Sequence, residues 1–123
     1  MSVYLHVTLE IHAAGLGRFL AVMEETAVPV LEREGWRLAG AFVQRTGRLG
    51  NVIDLWELDD FQHYDRALKV LGAHPAFPAF KSVLEETVIS ETVIFADAAS
   101  YMHPRREPEV ATTGDHKPTP QLA

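Results

Sequence analysis

The start of the chain alternates between apolar and polar residues almost without interruption. From Val3 to His12 every odd-numbered residue is aliphatic, whereas the even-numbered residues are Tyr4, His6, Thr8, Glu10 and His12. A period of two predicts a β-strand with two different faces. The aliphatic face is suited to packing under helices. The other face mixes an aromatic ring, imidazoles, a hydroxyl and a carboxylate, which is typical of a strand that borders a semi-polar pocket.

The next segment predicts an amphipathic helix. Between Leu16 and Leu31 the apolar residues recur at steps of three and four positions. Pro29 lies inside this pattern, and a proline in a helix interior removes a hydrogen bond and clashes with the preceding turn. We therefore expect a kink or break near residues 25–29. Gly35 is suited to end the helix.

Two strands and a turn follow the helix. Residues 36–46 are rich in apolar side chains, residues 47–51 have turn composition, and residues 52–58 form another apolar run. This pattern predicts a β-hairpin. In the second strand, Ile53 and Leu55 alternate with Val52, Asp54 and Trp56.

The last part of the pattern predicts more helix and a final strand. Asp59 and Asp60 can cap a helix that closes near Gly72, and His74-Pro75 suggests a new helical start. Residues 87–98 read as the fourth strand, in which Glu91 interrupts the alternation.

The order strand, helix, strand, strand, helix, strand predicts an α+β fold of the ferredoxin-like βαββαβ type. It has one four-stranded antiparallel sheet, with helices on one face and the first strand between the third and the fourth. We assign Trp56, Leu38, Phe42 and Ile94 to the face without helices. Because soluble monomers rarely expose a large apolar patch, we expect a second copy of the sheet to cover that face. The result would be a homodimeric barrel.

Composition narrows the possible functions. The chain has 123 residues, a net charge of −6 and no cysteine. We expect one domain over residues 1–101 and a flexible, Pro-rich tail over residues 102–123. The lack of cysteine excludes thiolate chemistry, and the scattered charges predict no nucleic-acid partner. No segment resembles a signal peptide or a membrane span, so we expect a cytoplasmic protein.

Three segments carry a resemblance to a known family. They are residues 31–40 (LEREGWRLAG), residues 51–60 (NVIDLWELDD) and residues 74–80 (HPAFPAF). Together they resemble the NIPSNAP family over about residues 3–100. The resemblance implies a dimeric α+β barrel. That superfamily includes cofactor-free monooxygenases and cyclases of polyketide aromatics, an isomerase, haem-degrading enzymes and proteins of no known activity. NIPSNAP members commonly carry histidine at the position of Asp54.

His6 and Asp54 form the predicted catalytic pair. We place both on the helix-free face of neighbouring strands, where the carboxylate would orient the imidazole and raise its pKa. Such a pair can remove a proton next to a carbonyl group or move one during ring closure. The alternative is a hydrogen-bonded pair that only stabilises the sheet.

Further residues on the same face complete the predicted site. Tyr4 could donate to a developing enolate, hydroxyl groups could bind a ligand oxygen, and large apolar side chains could form a wall for an aromatic ligand. The apolar set can equally be the core of a dimer interface. No metal ligand set and no cofactor are predicted. The hydroxyl residues are Thr8, Ser90 and Thr92, and the apolar residues are Trp56, Leu38 and Phe42.

Two classes of function fit these predicted site residues. The first is a cofactor-free enzyme of secondary metabolism, a cyclase or isomerase acting on an aromatic or polyketide-like compound, with a cofactor-independent monooxygenase as the close second. The other is a non-catalytic binding or interaction module. A cavity that reaches His6 would favour the enzyme, whereas a face filled by Trp56, Phe42 and Ile94 would favour the module.

Overall fold

The computed structural model describes residues 2–102 and confirms the predicted α+β architecture. Four antiparallel strands lie in the order β2-β3-β1-β4, and β1 is central as expected. The predicted tail lies outside the described residues except for Met102, so the division into domain and tail stays a prediction. In residues 2–102 no helix has the length and apolar character that crossing a membrane requires. The strands are β1 (Val3–Ile11), β2 (Arg37–Val43), β3 (Val52–Leu58) and β4 (Val88–Ala96).

The chain between β1 and β2 stays helical past its proline. Helix α1 (Leu16–Val22) runs into a π-helical turn (Met23–Ala27), which continues as α2 (Val28–Arg33) with Pro29 in its first turn. The wider π turn relieves the clash that a proline ring makes with the preceding α-helical turn. The irregularity therefore lies where the sequence predicts a kink or break.

Helices α3 (Phe61–Ala73) and α4 (Phe77–Thr87) connect β3 to β4. The Asp60 side chain caps α3 by accepting from the His63 N–H at 2.8 Å. Helix α4 begins at Phe77, two residues after the predicted start at Pro75. The reason is a local turn, in which His74 Nδ1 accepts the N–H of Ala76 at 3.0 Å.

The register between β1 and β3 decides which side chains share a face. Val7 lies opposite Asp54 and Leu5 opposite Trp56, so Asp54 and Trp56 point toward the helices with the aliphatic side of β1. His6 lies opposite Leu55 on the other face. The predicted placement of Asp54 and Trp56 on the helix-free face is therefore wrong, because β3 alternates with the opposite phase.

Because of a bulge in β2, the predicted placement of Leu38 on the helix-free face is also wrong. The register shifts between Leu38 and Gly40, so that Leu38 lies opposite Trp56 and Phe42 lies opposite Ile53. Leu38 consequently packs on the helix side, whereas Phe42 lies on the helix-free face as predicted. An extra residue in one strand has this effect because it reverses the alternation beyond it. Ser90, Thr92 and Ile94 of β4 lie on the helix-free face as predicted, opposite Glu10, Thr8 and His6.

Candidate active site between the sheet and the helices

Two cavities lie in the layer between the sheet and the helices. The inner cavity has a volume of about 250 Å³ and the outer cavity about 270 Å³. Phe19, Met23 and Asp54 line both, so the two cavities meet at these side chains. Each is slightly smaller than the range of about 300–1,000 Å³ that is usual for small-molecule sites. The inner cavity is lined mainly by Trp36, Trp56, Tyr64, Leu71 and Phe80, and the outer cavity by Leu20, Val28, Leu38 and Val43.

Asp54 is a buried acid without a partner. Its side chain extends from the central part of β3 toward the helices, and the residue is only 5% exposed. Within the described residues no hydrogen bond or ion pair reaches its carboxyl group, and burial raises its pKa from 3.8 to about 6. A carboxyl group with that pKa exchanges protons readily near neutral pH, which is the property of a general acid or base.

Three aromatic side chains form one side of the inner cavity. The Trp36 ring packs edge-on against Trp56 with centroids 5.5 Å apart, and it stacks on Tyr64 at 5.8 Å. The Trp36 N–H donates to the carbonyl oxygen of His63 at 3.2 Å. The Trp56 N–H has no such acceptor among the described residues, and it is not sealed from the cavity space. Trp56 and Tyr64 line the inner cavity together with Asp54, and within residues 2–102 neither the Trp56 N–H nor the Tyr64 hydroxyl forms a hydrogen bond.

The charged groups of both cavities have one sign. Glu91 of β4 lies opposite Leu9, on the helix side of the sheet, and it lines the inner cavity. The pKa of Tyr64 is raised, first by burial and then by the charges of Glu91 and Asp65. Glu24 lines the outer cavity. In residues 2–102, no lysine, arginine or histidine lines either cavity.

The predicted partner of Asp54 lies on the far side of the sheet. His6 and Tyr4 line a groove of about 430 Å³ between the helix-free face and residues 96–102. Tyr101 at its edge is 83% exposed, so the groove is open to solvent. The Tyr4 hydroxyl donates to Glu57 Oε2 at 3.4 Å, and burial followed by the Glu57 charge raises the Tyr4 pKa. A groove does reach His6, but the His6–Asp54 pair does not form.

The predicted hydroxyl residues lie with His6 and not with Asp54. Thr8 and Thr92 are opposite each other on the helix-free face, and Ser90 Oγ donates to Glu10 Oε2 at 3.2 Å. Phe42 is also on that face and is 55% exposed. The sheet thus divides the predicted site into two groups: Asp54, Trp56 and Leu38 border the cavities under the helices, and Phe42 also borders the outer cavity although its position in the register is on the helix-free face.

Sequence reasoning missed several cavity residues although the chain contains a signal for one of them. Glu91 interrupts the apolar alternation of β4 between Ile89 and Val93, on the helix side of the sheet, and it is exposed. A carboxylate in such a position is costly unless it borders a solvated or ligand-binding space. Asp54 is the same kind of signal, because it lies between Val52 and Trp56. Trp36, Tyr64 and Met23 carry no pattern that separates a cavity wall from ordinary core.

The described residues give no sign of a metal centre. No three histidine, aspartate or glutamate side chains come together in a geometry that could hold an ion across residues 2–102.

Comparisons with known proteins point to one family. The NIPSNAP family model matches residues 4–106. None of the curated proteins matches the chain. Among solved structures, an uncharacterised NIPSNAP domain protein from Burkholderia xenovorans is 24% identical with a TM-score of 0.69, and the match covers 85% of this chain and all of that one. A NIPSNAP family protein from Agrobacterium tumefaciens is 18% identical with a TM-score of 0.74, over 85% of this chain and all of that one.

The fold is also similar to that of an oxygenase. SnoaB, a cofactor-independent oxygenase from Streptomyces nogalater, is 18% identical with a TM-score of 0.59, over 80% of this chain and 93% of that one. At this identity the likeness concerns the fold alone. The described chain therefore has the fold of the dimeric α+β barrel proteins, which include monooxygenases.

Proposed function

The chain belongs to the NIPSNAP family, and from that premise we propose that it is a cofactor-free enzyme in which Asp54 transfers a proton on a small apolar substrate. The substrate is an aromatic or polyketide-like carbonyl compound that occupies the cavities between the sheet and the helices. Isomerisation or cyclisation fits best, because both reactions need an acid–base group and a shaped site of low polarity.

One observation carries this proposal. Asp54 is buried where an unpaired charge is unfavourable, and yet no described residue compensates it. A buried ionisable group with a strongly shifted pKa in a cavity is a candidate functional group, because it opposes stability where it lies. At neutral pH the carboxylate can remove a proton from the carbon next to a carbonyl group.

The cavity also offers donors for the oxygen of that carbonyl group. Trp56, which carries an N–H donor, and Tyr64, which carries an O–H donor, line the inner cavity. Hydrogen bonds from such donors strengthen as negative charge develops on the oxygen of an enolate. Asp54 can then return the proton to another carbon, which completes an isomerisation, or the enolate carbon can attack an electrophile in the same molecule and close a ring.

A cofactor-independent monooxygenase is the second candidate. The similarity of the fold to SnoaB favours it. The same enolate, formed by Asp54, would react with dioxygen instead of with a second carbon. The two candidates share the deprotonation step and differ in whether oxygen is consumed.

We also propose that the chain is a homodimer located in the cytoplasm. Phe42 and Ile94 are 55% and 50% exposed on the helix-free face, and Ile53 and Leu55 are only partly covered. A second sheet packed on this face would bury these side chains. The His6 groove would then be part of the interface, and the cavities at Asp54 would remain within each subunit.

Exchange of a carbon-bound proton tests the proposed chemistry without knowledge of the natural substrate. In heavy water, 2-tetralone, a bicyclic ketone, should lose its α-protons faster with the protein than without it, as followed by proton NMR. Asp54→Asn should reduce the added exchange by about 10²-fold or more. His6→Ala should retain it, because His6 lies across the sheet.

Further measurements in the exchange experiment distinguish the isomerase or cyclase from the monooxygenase and from the non-catalytic module. Glu57→Gln removes a carboxylate from the helix-free face and should leave exchange unchanged. Consumption of dissolved oxygen in the same reaction would favour the monooxygenase. Binding of 2-tetralone without any exchange would favour the non-catalytic module, and full exchange in Asp54→Asn would contradict the role of Asp54.

A further inference from the structure

We propose that the carbonyl compound bound in the two cavities also carries an amine on its apolar ring system, so that the natural ligand is an organic cation with Asp54 as its counter-ion. This inference deepens the proposed function and rests on it only in assigning the ligand to the same cavities. It follows from the negative charges around the cavities, from the lack of a described partner for Asp54 and from the aromatic residues that line the inner cavity.

The charges around the cavities favour a positive ligand. Asp54 is buried where both cavities meet, whereas Glu91 at the inner cavity and Glu24 at the outer cavity are exposed to solvent and add weaker negative charge. In residues 2–102 neither cavity has a basic lining residue. Opposite charges attract strongly where water is excluded, and like charges repel there for the same reason. A carboxylate or phosphate ligand would meet uncompensated negative charge, whereas an ammonium group would neutralise it.

The unpartnered state of Asp54 distinguishes this arrangement from an ordinary acidic surface. The side chain is almost completely buried, it borders both cavities, and no described residue donates to it. An ammonium group could supply the missing hydrogen bonds and charge together. Two acids of the sheet differ from Asp54 in this respect, since Glu57 pairs with Arg37 at 3.1 Å and Glu10 with Arg48 at 3.0 Å.

The walls of the inner cavity fit an organic cation better than an inorganic one. Ca²⁺ requires about six to eight oxygen ligands and Mg²⁺ an octahedral set, and no cluster of three ligating side chains exists within residues 2–102. Trp36, Trp56 and Tyr64 instead line the inner cavity together with Asp54, although Trp36 and Tyr64 each use one ring face to stack on the other. Aromatic rings attract cations through their electron-rich faces and bury the apolar part of the ligand.

Three compounds with one scaffold test the charge preference directly. They are 2-aminotetralin, 2-tetralol and tetrahydro-2-naphthoic acid, which share a bicyclic ring and differ in one polar group. Their affinities are measured by isothermal titration calorimetry at about pH 7.5, above the Asp54 pKa of about 6. We expect the amine to bind about ten-fold more tightly than the alcohol, and the acid at least about ten-fold more weakly than the alcohol.

Variants assign the preference to Asp54. In Asp54→Asn the amine should bind no more than about two-fold more tightly than the alcohol, while the affinity for the alcohol stays within about two-fold of that of the natural chain. Glu57→Gln should keep the full preference. An amine preference that survives in Asp54→Asn overturns the proposal, and so does equal binding of amine and acid, or a failure of all three compounds to bind.

The outcome is independent of the exchange experiment. Suppose that the alcohol binds, that exchange of 2-tetralone depends on Asp54 and that the three affinities are equal. In that case the inference fails and the proposed chemistry stands. If the amine is preferred but 2-tetralone does not exchange, the charge preference stands and the proposed chemistry fails.

Discussion

At neutral pH the Asp54 carboxylate is a negative charge between the sheet and the helices, and no basic side chain within residues 2–102 lines its cavities. Its pKa is raised from 3.8 to about 6 by burial. Neutral Asp54 therefore favours the folded state fully below pH 3.8, and this contribution is lost as the pH rises through about 6. Above that pH, the residue opposes folding.

Asp54→Asn should consequently stabilise the protein at alkaline pH. The free energy of unfolding should rise by up to about 3 kcal/mol at about pH 8 and change little at about pH 4. Urea unfolding at both pH values measures the difference. Glu57→Gln is the matched control, and it should lower stability at about pH 8, because the pKa of Glu57 is lowered, first by its hydrogen bond with Ser2 and then by Arg37. An Asp54→Asn variant that is less stable at alkaline pH would show a structural role instead.

At the residue scale the sequence identifies Asp54 but not its surroundings. A carboxylate within an apolar strand can be recognised in the sequence. The face of the sheet on which it lies cannot. One phase of β3 holds Val52, Asp54, Trp56 and Leu58, and the other holds Ile53, Leu55 and Glu57. Each set combines large apolar residues with one acid, so alternation alone does not choose between them. Pairing with β1 makes the choice, and it separates Asp54 from His6.

At the scale of elements, His63 joins the turns that hold the cavity walls. Its Nε2 donates to the carbonyl oxygen of Glu34 at the end of α2, and its Nδ1 accepts the N–H of Asp59 at 3.2 Å before α3. Gly35 has a φ of 93°, and a Cβ there would come within 3.3 Å of the His63 ring. The imidazole thereby joins the chain just before Trp36 to the start of α3.

His63→Ala should lower the free energy of unfolding by about 2–4 kcal/mol, because it removes two hydrogen bonds and leaves a void. Chemical denaturation measures this loss. His74→Ala serves as the comparison, since that imidazole only accepts the N–H of Ala76 and is less buried. It should lose less than about 1 kcal/mol. Equal losses in the two variants would mean that His63 does not connect these elements.

The sequence predicts the elements well and their ends less well. The periodicities identify all four strands and the helices, because each element must bury one apolar face. The bulge after Leu38 depends on how neighbouring strands pair, so alternation does not reveal it. Pro29 predicts an irregularity near residues 25–29, but propensity does not reveal that the irregularity is a π turn. The late start of α4 has a local cause, the turn that His74 stabilises.

At the scale of the whole molecule, the helix-free face determines how subunits would assemble. Phe42 and Ile94 are the large exposed apolar residues on this face, at the β2 and β4 sides of the sheet. The sequence predicts that a second copy covers them. The cavities at Asp54 are on the opposite side, so dimerisation and chemistry are expected to be separable.

Charged substitutions on the helix-free face should prevent dimerisation without affecting the inner cavity, which Asp54 lines. Phe42→Asp and Ile94→Asp should give monomers at concentrations where the natural chain is dimeric, because a buried unpaired charge opposes association. Sedimentation velocity measures the change. Val70→Asp, on the exposed side of α3, should leave the dimer intact. A natural chain that is monomeric at all concentrations would contradict the proposed homodimer.

The central claim is that the Asp54 carboxyl group is held unpaired in a ligand cavity and changes protonation near neutral pH. Carbon-13 NMR of the aspartate side-chain carboxyl groups, with Asp54→Asn to assign the signal, tests this most directly. The Asp54 resonance should titrate with a midpoint of about 6, and binding of 2-aminotetralin should lower that midpoint. A midpoint near the ordinary value of 3.8, unchanged by the amine, would contradict the account.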